Sequence, residues 1–152
     1  MTLITIDGLV AEQARLGRLI EALQQTSAPK VLIVSEASIE LQHGERYAGL
    51  LFDANGLASH HLILLPGEAE DIKWDAAKEW ASKVGGELPT RQEQALLFAN
   101  LKSEFKPNWY WSGEQYEEDS SYAWDQYFLN GGQGYYHESY SGRARAVRRF
   151  PA

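Results

Sequence analysis

The sequence of 152 residues contains no cysteine. This absence excludes disulfides, thiolate zinc sites, iron–sulfur clusters and catalytic thiols, although it does not identify the compartment. Long hydrophobic runs are also missing, since no stretch reaches the roughly 18 apolar residues of a membrane span. The N-terminus carries Asp7 and Glu12 and lacks a basic segment. We therefore expect neither insertion into a membrane nor a signal peptide.

Basic residues are outnumbered, with 14 lysines and arginines against 21 aspartates and glutamates, which gives a net charge of −7. A protein that binds nucleic acid without sequence preference needs a basic patch to offset such a charge. The basic segment of this chain is C-terminal and contains Arg143, Arg145, Arg148 and Arg149. In so acidic a chain these arginines are expected to pair with carboxylates. We predict no nucleic-acid partner.

We interpret residues 1–43 as an N-terminal helical extension in which a strand, a helix and a second strand follow one another. Residues 3–6 form a short apolar run that predicts a strand, and Asp7 is a plausible cap for a helix over about residues 8–25. The helix carries an apolar stripe that either docks on the rest of the chain or pairs with a second copy. Residues 31–34 predict a second, buried strand.

Residues 44–152 contain the signals of a mixed helix and sheet domain. An Asn-Gly turn at 55–56 predicts a hairpin over residues 46–65. Helices are predicted over 74–84 and from Thr90, which forms a capping box with Glu93, to about residue 102. Arg91 is expected to pair with an acidic residue. Strands with a period of two, separated by turns and an acidic loop at 113–120, are predicted over residues 109–112, 121–129, from 135, and 143–150.

The order of these segments resembles the Lcl-type domain family, named after the C-terminal domain of a bacterial collagen-like adhesin. The matching segments are Trp74–Trp80, Gly86–Glu93, Tyr110–Ser112, Ala123–Trp124, Asn130–Gly131 and Arg145–Arg149. The resemblance covers roughly residues 44–152. It implies an α+β, C-type-lectin-like fold with two helices around a small twisted antiparallel sheet. It also implies ligand binding on the loop-rich C-terminal half, an origin in phage, prophage or bacterial surface proteins, and no reaction.

Tyrosine, serine and glycine are concentrated between Tyr116 and Gly142. Tyrosine offers a large, stiff contact area at low entropic cost, and such a mixture is typical of adaptable binding surfaces. The candidate ligand-binding residues are Tyr116, Tyr122, Tyr135, Tyr136, His137 and Tyr140. The alternative is that several of them only cover the edge of a sheet. The five tryptophans are assigned to the core rather than to a site.

No metal cofactor is expected. His60 and His61 are adjacent on a predicted strand, so they point to opposite faces and do not bind one metal. The acidic loop contains Glu117, Glu118 and Asp119, which are weak candidates for calcium because calcium prefers carboxylate and carbonyl oxygens. The sequence lacks the Glu-Pro-Asn and Trp-Asn-Asp motifs of calcium-dependent sugar-binding lectins, and Trp124-Asp125 resembles only part of the second motif.

Three functional hypotheses remain open. The first is a non-catalytic binding module, encoded by a phage or prophage, for a protein or glycan of a bacterial surface. Phage receptor-binding proteins that are diversified by retroelements have a similar fold and composition. The second is an intracellular phage protein that binds and inhibits a host protein. The third is a hydrolase that uses carboxylates, although no Ser–His–Asp order, nucleophile elbow or phosphate loop is visible. The first two place the chain in the virion or the bacterial cytoplasm.

Overall fold

The computed structural model describes residues 5–27, 29 and 31–152. The chain divides into two compact units, Met1–Ile33 and Val34–Ala152, so the first ends earlier than the extension expected from the sequence. The first unit contains helix α1 (Ile6–Ser27). Among the described residues, no helix has the length and apolar character needed to cross a membrane.

Helix α1 begins before the predicted cap. Thr5 occupies the capping position, where its Oγ1 accepts a hydrogen bond of 3.2 Å from the backbone N–H of Gly8. Asp7 instead lies in the first helical turn, where its charge complements the positive end of the helix dipole. The prediction that Asp7 caps this helix is therefore wrong.

The two strands predicted beside α1 are not found in the described chain. Residues 3 and 4 lie outside the described residues, and Ile6 is helical. Residues 31–34 have no regular secondary structure, and their side chains are exposed. A short apolar run indicates burial only where a neighbouring strand supplies hydrogen bonds, and the run itself does not reveal whether one exists.

The second unit contains eight strands and two α-helices. In chain order these are β1 (Arg46–Phe52), β2 (Ala58–Leu64), β3 (Ala69–Ile72), α2 (Trp74–Lys83), α3 (Arg91–Leu101), β4 (Trp109–Gln115), β5 (Tyr122–Tyr127), β6 (Gln133–His137), β7 (Gly142–Ala144) and β8 (Val147–Pro151). A short 3₁₀ turn, Lys102–Glu104, follows α3. This content confirms the α+β class.

The strands form two sheets, one with the order β1-β2-β8 and one with the order β3-β7-β4-β5-β6. All pairs are antiparallel except β4 with β7. The strand predicted over residues 143–150 is in fact two strands, since β7 joins the larger sheet and β8 the smaller one. Residues 145 and 146 connect them, and Ala146 O accepts the backbone N–H of Leu65 at 2.9 Å.

Local sequence signals explain the hairpin and both helices of this unit. Asp53 Oδ1 accepts the backbone N–H groups of Asn55 and Leu57, which closes the predicted turn between β1 and β2. Gly85, with φ of +89°, follows α2 in the left-handed conformation that glycine adopts without strain. The predicted capping box of α3 is present, because Thr90 Oγ1 accepts from Glu93 N and Glu93 Oε1 accepts from Thr90 N.

Two hydrophobic clusters hold this unit together. The first contains Trp74 and Ala77 of α2 with Trp111 of the larger sheet. The second contains Leu97 of α3 and residues of both sheets, among them Tyr110. Because adjacent residues of β4 lie in different clusters, the larger sheet is covered on both faces near its centre. It is open further along β5 and β6.

Candidate functional site

One face of β5 and β6 carries a contiguous group of aromatic side chains. The antiparallel register pairs Tyr122 with His137 and Trp124 with Tyr135. Residues that pair directly across two strands point to the same face, and Tyr116, in the loop after β4, joins them. We call this group the outer aromatic face; it consists of Tyr116, Tyr122, Trp124, Tyr135 and His137.

The rings of the outer aromatic face contact one another. Tyr116 stacks on Tyr135 with centroids 4.0 Å apart and planes 7° apart. Both tyrosine rings meet Trp124 edge-on at 5.4 Å, and Tyr122 meets His137 edge-on at the same distance. Tyr135 remains 47% exposed. Edge-on and stacked contacts of this kind hold the rings in fixed orientations, so the surface is organised before any ligand arrives.

Arg91, at the start of α3, borders this face. Its guanidinium carbon lies 3.5 Å from the centre of the Trp124 ring, and its Nε donates to Gln133 Oε1 at 3.1 Å. Gln133 Nε2 donates in return to the backbone carbonyl of Arg91 at 2.8 Å. Arg91 bonds an acidic residue only through its backbone N–H, which donates to Glu114 Oε2 at 2.5 Å, because an aromatic ring and an amide occupy the guanidinium.

The acidic loop lines the other border of the outer aromatic face. Glu117 Oε2 accepts from Trp124 Nε1 at 3.2 Å, and Glu118 Oε2 accepts from Tyr116 Oη at 3.0 Å. Hydrogen bonds with Tyr135 and with Glu118 raise the pKa of Tyr116. Asp119 Oδ1 accepts from the backbone N–H of Ser121 at 2.9 Å. The three candidate calcium ligands therefore each have a different protein donor.

No group of three or more histidine, aspartate or glutamate side chains within the described ranges is placed to hold a metal ion. Calcium binding by the acidic loop stays a prediction. His60 and His61 contact different partners, Glu93 and Tyr47 respectively, as expected for neighbours on opposite faces of a strand.

The six tyrosine and histidine residues singled out in the sequence do not form one surface. Tyr116, Tyr122, Tyr135 and His137 lie together, whereas Tyr136 belongs to the opposite face of β6 because it pairs with Ala123. Tyr140 stacks on Tyr136 at 4.9 Å, which places it with this second group. Trp109 completes the group, meeting Tyr136 edge-on at 5.5 Å and stacking on Tyr127 at 4.8 Å.

The sequence did not predict Trp109 and Trp124 as surface residues, because every tryptophan was assigned to the core, and it did not predict Arg91 as part of the site. Trp74 and Trp111 are buried, but Trp109 and Trp124 are only half-buried. A signal for Trp124 was present: the period of two places it on the same side of β5 as Tyr122. Arg91 had no such signal, since its position over Trp124 depends on how α3 packs on the sheet.

The basic C-terminal segment is neutralised within the protein. Arg143 pairs with Glu70, Arg148 with Glu45, and Arg149 with Glu87 and Glu93. Arg145 donates to the backbone carbonyls of Glu104 and Leu65. The expected ion pairing is confirmed for three of the four arginines, and carbonyl groups replace carboxylates at the fourth.

Carboxyl groups occur in two contrasting environments. The Lys106 ammonium and the Arg143 guanidinium lower the pKa of Glu70 to about 2, so Glu70 is ionised at neutral pH. Asp125 is only 2% exposed, its Oδ1 has no hydrogen-bond partner among the described residues, and burial raises its pKa to about 7. Glu70 is therefore not a proton donor at neutral pH, and the buried Asp125 is not accessible to a substrate.

No protein-family model matches this chain, and no curated protein matches it.

Proposed function

We propose that this chain is a non-catalytic binding module whose outer aromatic face recognises a protein on a bacterial surface. The observation that supports this most directly is the contiguous group of three tyrosines, a tryptophan and a histidine, bordered by Arg91, in which Tyr135 and His137 are exposed and the other three are half-buried. Tryptophan, tyrosine and arginine are the residues that dominate binding energy at protein interfaces. The resemblance to the Lcl-type family, with a C-type-lectin-like fold and a phage or prophage origin, is part of this proposal.

A protein partner is favoured over a glycan at this face. The rings of this face pack on one another and on an arginine, and tyrosine, tryptophan and arginine together are typical of interfaces between proteins. Tyr116 and Tyr135 are stacked at 4.0 Å, and Arg91 lies over Trp124 at 3.5 Å. The groups that this face offers to a partner are ring edges, hydroxyl groups and one guanidinium, which suit the side chains of a protein surface.

Charge favours a partner with a basic patch. Glu117 and Glu118 border the outer aromatic face, and the chain carries a net charge of −7. Complementary potentials accelerate encounter and exclude partners of the same sign. The same charge also suits the second candidate function, inhibition of a basic host protein inside the cell, and the experiment below separates the two.

Two features support a non-catalytic role. The four C-terminal arginines are held by intramolecular partners, and the carboxyl group whose pKa is raised, Asp125, is buried. Neither arrangement provides a reactive group that a substrate can reach. The proposal therefore assigns no catalytic residue and no cofactor.

The test is capture by the purified chain from two samples, intact bacterial cells and cytosolic lysate. The variant is Tyr135→Ala, and its matched control is Tyr47→Ala, which removes a tyrosine of similar exposure (44% against 47%) from the smaller sheet. Retention on cells that Tyr135→Ala loses and Tyr47→Ala keeps supports the proposal. A cytosolic partner with the same variant dependence replaces it with the host-protein inhibitor. Equal capture by all three proteins contradicts both, and sensitivity to a calcium chelator assigns a role to the acidic loop.

Self-association through α1 is a further part of the proposal. Ile6, Leu9, Leu16 and Ile20 are each between 48% and 80% exposed. Their spacings of three, seven and four residues place them on one coiled-coil seam, with Gln13 at the seam position between Leu9 and Leu16; in such a seam the partner helix supplies the burial. We propose that the occupant of this seam is α1 of a second copy.

A further inference from the structure

A second potential binding site lies on the other face of the larger sheet, among residues that the proposed function does not use. It is a cleft with a volume of about 340 Å³, within the range of small-molecule sites. The ends of β3, β4 and β7 and the loop after β6 form its walls. The residues that matter below are Asp71, Asn108, Trp109, Tyr140 and Arg143.

Two aromatic rings line the cleft, and each is held by a neighbour outside it. Trp109 stacks on Tyr127 at 4.8 Å, and Tyr140 stacks on Tyr136 at 4.9 Å. Tyr140 is 48% exposed. Trp109 and Tyr140 do not stack on each other, so a flat ligand can lie against the ring face that each neighbour leaves uncovered.

Hydrogen-bonding groups beside these rings lack partners. In the part of the chain that the structure describes, the Asp71 carboxylate accepts no hydrogen bond and forms no ion pair. Asn108 uses its Oδ1 to accept the N–H of Trp109 at 2.8 Å, which leaves its amide Nδ2 as a donor. Arg143 pairs through one nitrogen, Nη1, with Glu70 at 2.5 Å, so its other N–H groups are also available as donors.

The backbone at Asp71 is held in an unusual conformation. Its φ of +53° is in the left-handed region, and among the described residues it is the one non-glycine residue with a positive φ. The registers of β3 and β7 shift between Ala69 and Ile72, which places this residue in an irregularity of the strand pair. Such conformations are strained and concentrate at binding sites.

Carboxylates outnumber cations by one at the cleft, where Glu68, Glu70 and Asp71 face Arg143 and Lys106. Glu70 is ionised and shared between Arg143 and Lys106, at 2.5 and 2.7 Å. An anion would meet these carboxylates, and a metal ion would meet the two cations that already hold Glu70. A neutral ligand avoids both costs. Its hydroxyl groups would donate to Asp71 and accept from Asn108 and Arg143, while an apolar ring face contacts an aromatic side chain.

We infer that this cleft binds a neutral saccharide, with Trp109 or Tyr140 stacked on the sugar ring and Asp71, Asn108 and Arg143 bonded to its hydroxyl groups. The site needs no calcium. It is separate from the outer aromatic face and does not depend on the proposed function, because it shares no residue with that face.

Saturation-transfer NMR on the full chain tests this inference, with chitotriose, cellotriose and maltotriose as probes. The variants are Asp71→Asn, since asparagine tolerates the same left-handed backbone, and Tyr140→Ala. We expect transfer to the ring protons of at least one trisaccharide, unchanged by a calcium chelator. Affinity should fall about tenfold in either variant, the effect of losing roughly 1.4 kcal/mol. Circular dichroism verifies that each variant is folded.

Tyr135→Ala serves as the control from the outer aromatic face and should bind the trisaccharide unchanged. Absence of transfer from all three sugars overturns the inference, as does binding that both Asp71→Asn and Tyr140→Ala retain. Loss of sugar binding in Tyr135→Ala also overturns it and assigns the sugar to the outer aromatic face. Failure of the cell-capture experiment alone leaves these outcomes unaffected.

Discussion

The guanidinium of Arg91 lies 3.5 Å above the Trp124 ring and is held there by paired hydrogen bonds between Arg91 and Gln133. This contact joins the first residue of α3 to the open part of the larger sheet. It also connects the capping box of α3 with the candidate interface, because Thr90 and Arg91 are adjacent. The position of one border of the outer aromatic face therefore depends on where α3 begins.

Replacing Arg91 with alanine should weaken partner capture more than it weakens the fold. The stacked guanidinium contributes about 0.5–1 kcal/mol to stability at an exposed site, whereas an arginine at an interface often contributes more than 2 kcal/mol to binding. Urea unfolding followed by circular dichroism measures the first effect, and capture from cells measures the second. Arg18→Ala, in α1, is the matched arginine control. Equal capture by Arg91→Ala and the unmodified chain would remove Arg91 from the interface.

Glu93→Gln should destabilise the second unit strongly. Glu93 is fully buried, and its carboxylate accepts from Arg149 at 2.8 Å, from His60 at 2.9 Å and from the backbone N–H of Thr90. Losing a buried acceptor of hydrogen bonds from charged groups costs about 1–3 kcal/mol; Arg149 itself is exposed and keeps its pair with Glu87. Urea unfolding should show this loss, with Glu87→Gln, whose side chain is exposed, as the control. A loss below about 1 kcal/mol would contradict the assigned role.

Acid should weaken the protein through the same carboxylate. Burial alone raises the pKa of Glu93, but the hydrogen bonds from Arg149, Thr90 and His60 outweigh it and hold the pKa below the ordinary value. A group with a lowered folded pKa stabilises the fold above its unfolded pKa, and this contribution is lost as the pH falls through the folded value. Midpoints of thermal unfolding below pH 4 should therefore fall less steeply in Glu93→Gln.

Asp125 should produce the opposite dependence on pH. Burial raises its folded pKa to about 7, so between about pH 4 and pH 7 the folded state keeps a proton that the unfolded state releases. Stability from this group falls as the pH rises through that window. Asp125→Asn should reduce this loss of folding free energy with rising pH, which is on the order of 2–4 kcal/mol in the unmodified chain. Urea midpoints at pH 5 and pH 8 measure it, and an unchanged difference in the variant would exclude Asp125 as the cause.

Self-association through α1 should depend on concentration and on the apolar seam. Sedimentation of the full chain at micromolar concentration should give a mass above the 17.1 kDa of one copy. Leu16→Ser together with Ile20→Ser should restore the monomer, because the partner helix then gains no apolar burial. Arg15→Ser with Arg18→Ser, off the seam, should leave the mass unchanged. A monomeric unmodified chain would contradict this part of the account.

Patterns of local periodicity predicted most of the second unit. The Asn-Gly turn located the hairpin, the capping box fixed the start of α3, and the period of two placed Tyr122 with Trp124. These signals depend on a few neighbouring residues, so the sequence contains them completely. The same period separates Tyr135 from Tyr136, which explains why the predicted tyrosine surface divides into two.

Features that depend on packing could not be predicted in this way. Residues 143–150 carry one continuous strand-like pattern, and nothing local shows that the chain changes sheets at Arg145. The position of Arg91 over Trp124 requires α3 to lie beside β5, and the burial of Asp125 requires strands on both of its sides. Residues 31–34 were predicted to form a strand from their apolar character, but that character alone did not produce one.

The most direct test of the central claim is the affinity of the captured cell-surface partner for Tyr135→Ala and for Tyr47→Ala, measured side by side by surface plasmon resonance. If the outer aromatic face is the binding site, Tyr135→Ala should weaken binding by about tenfold or more, and Tyr47→Ala should change it by less than about twofold. Equal affinities for the two variants would show that the outer aromatic face is structural and would contradict the account.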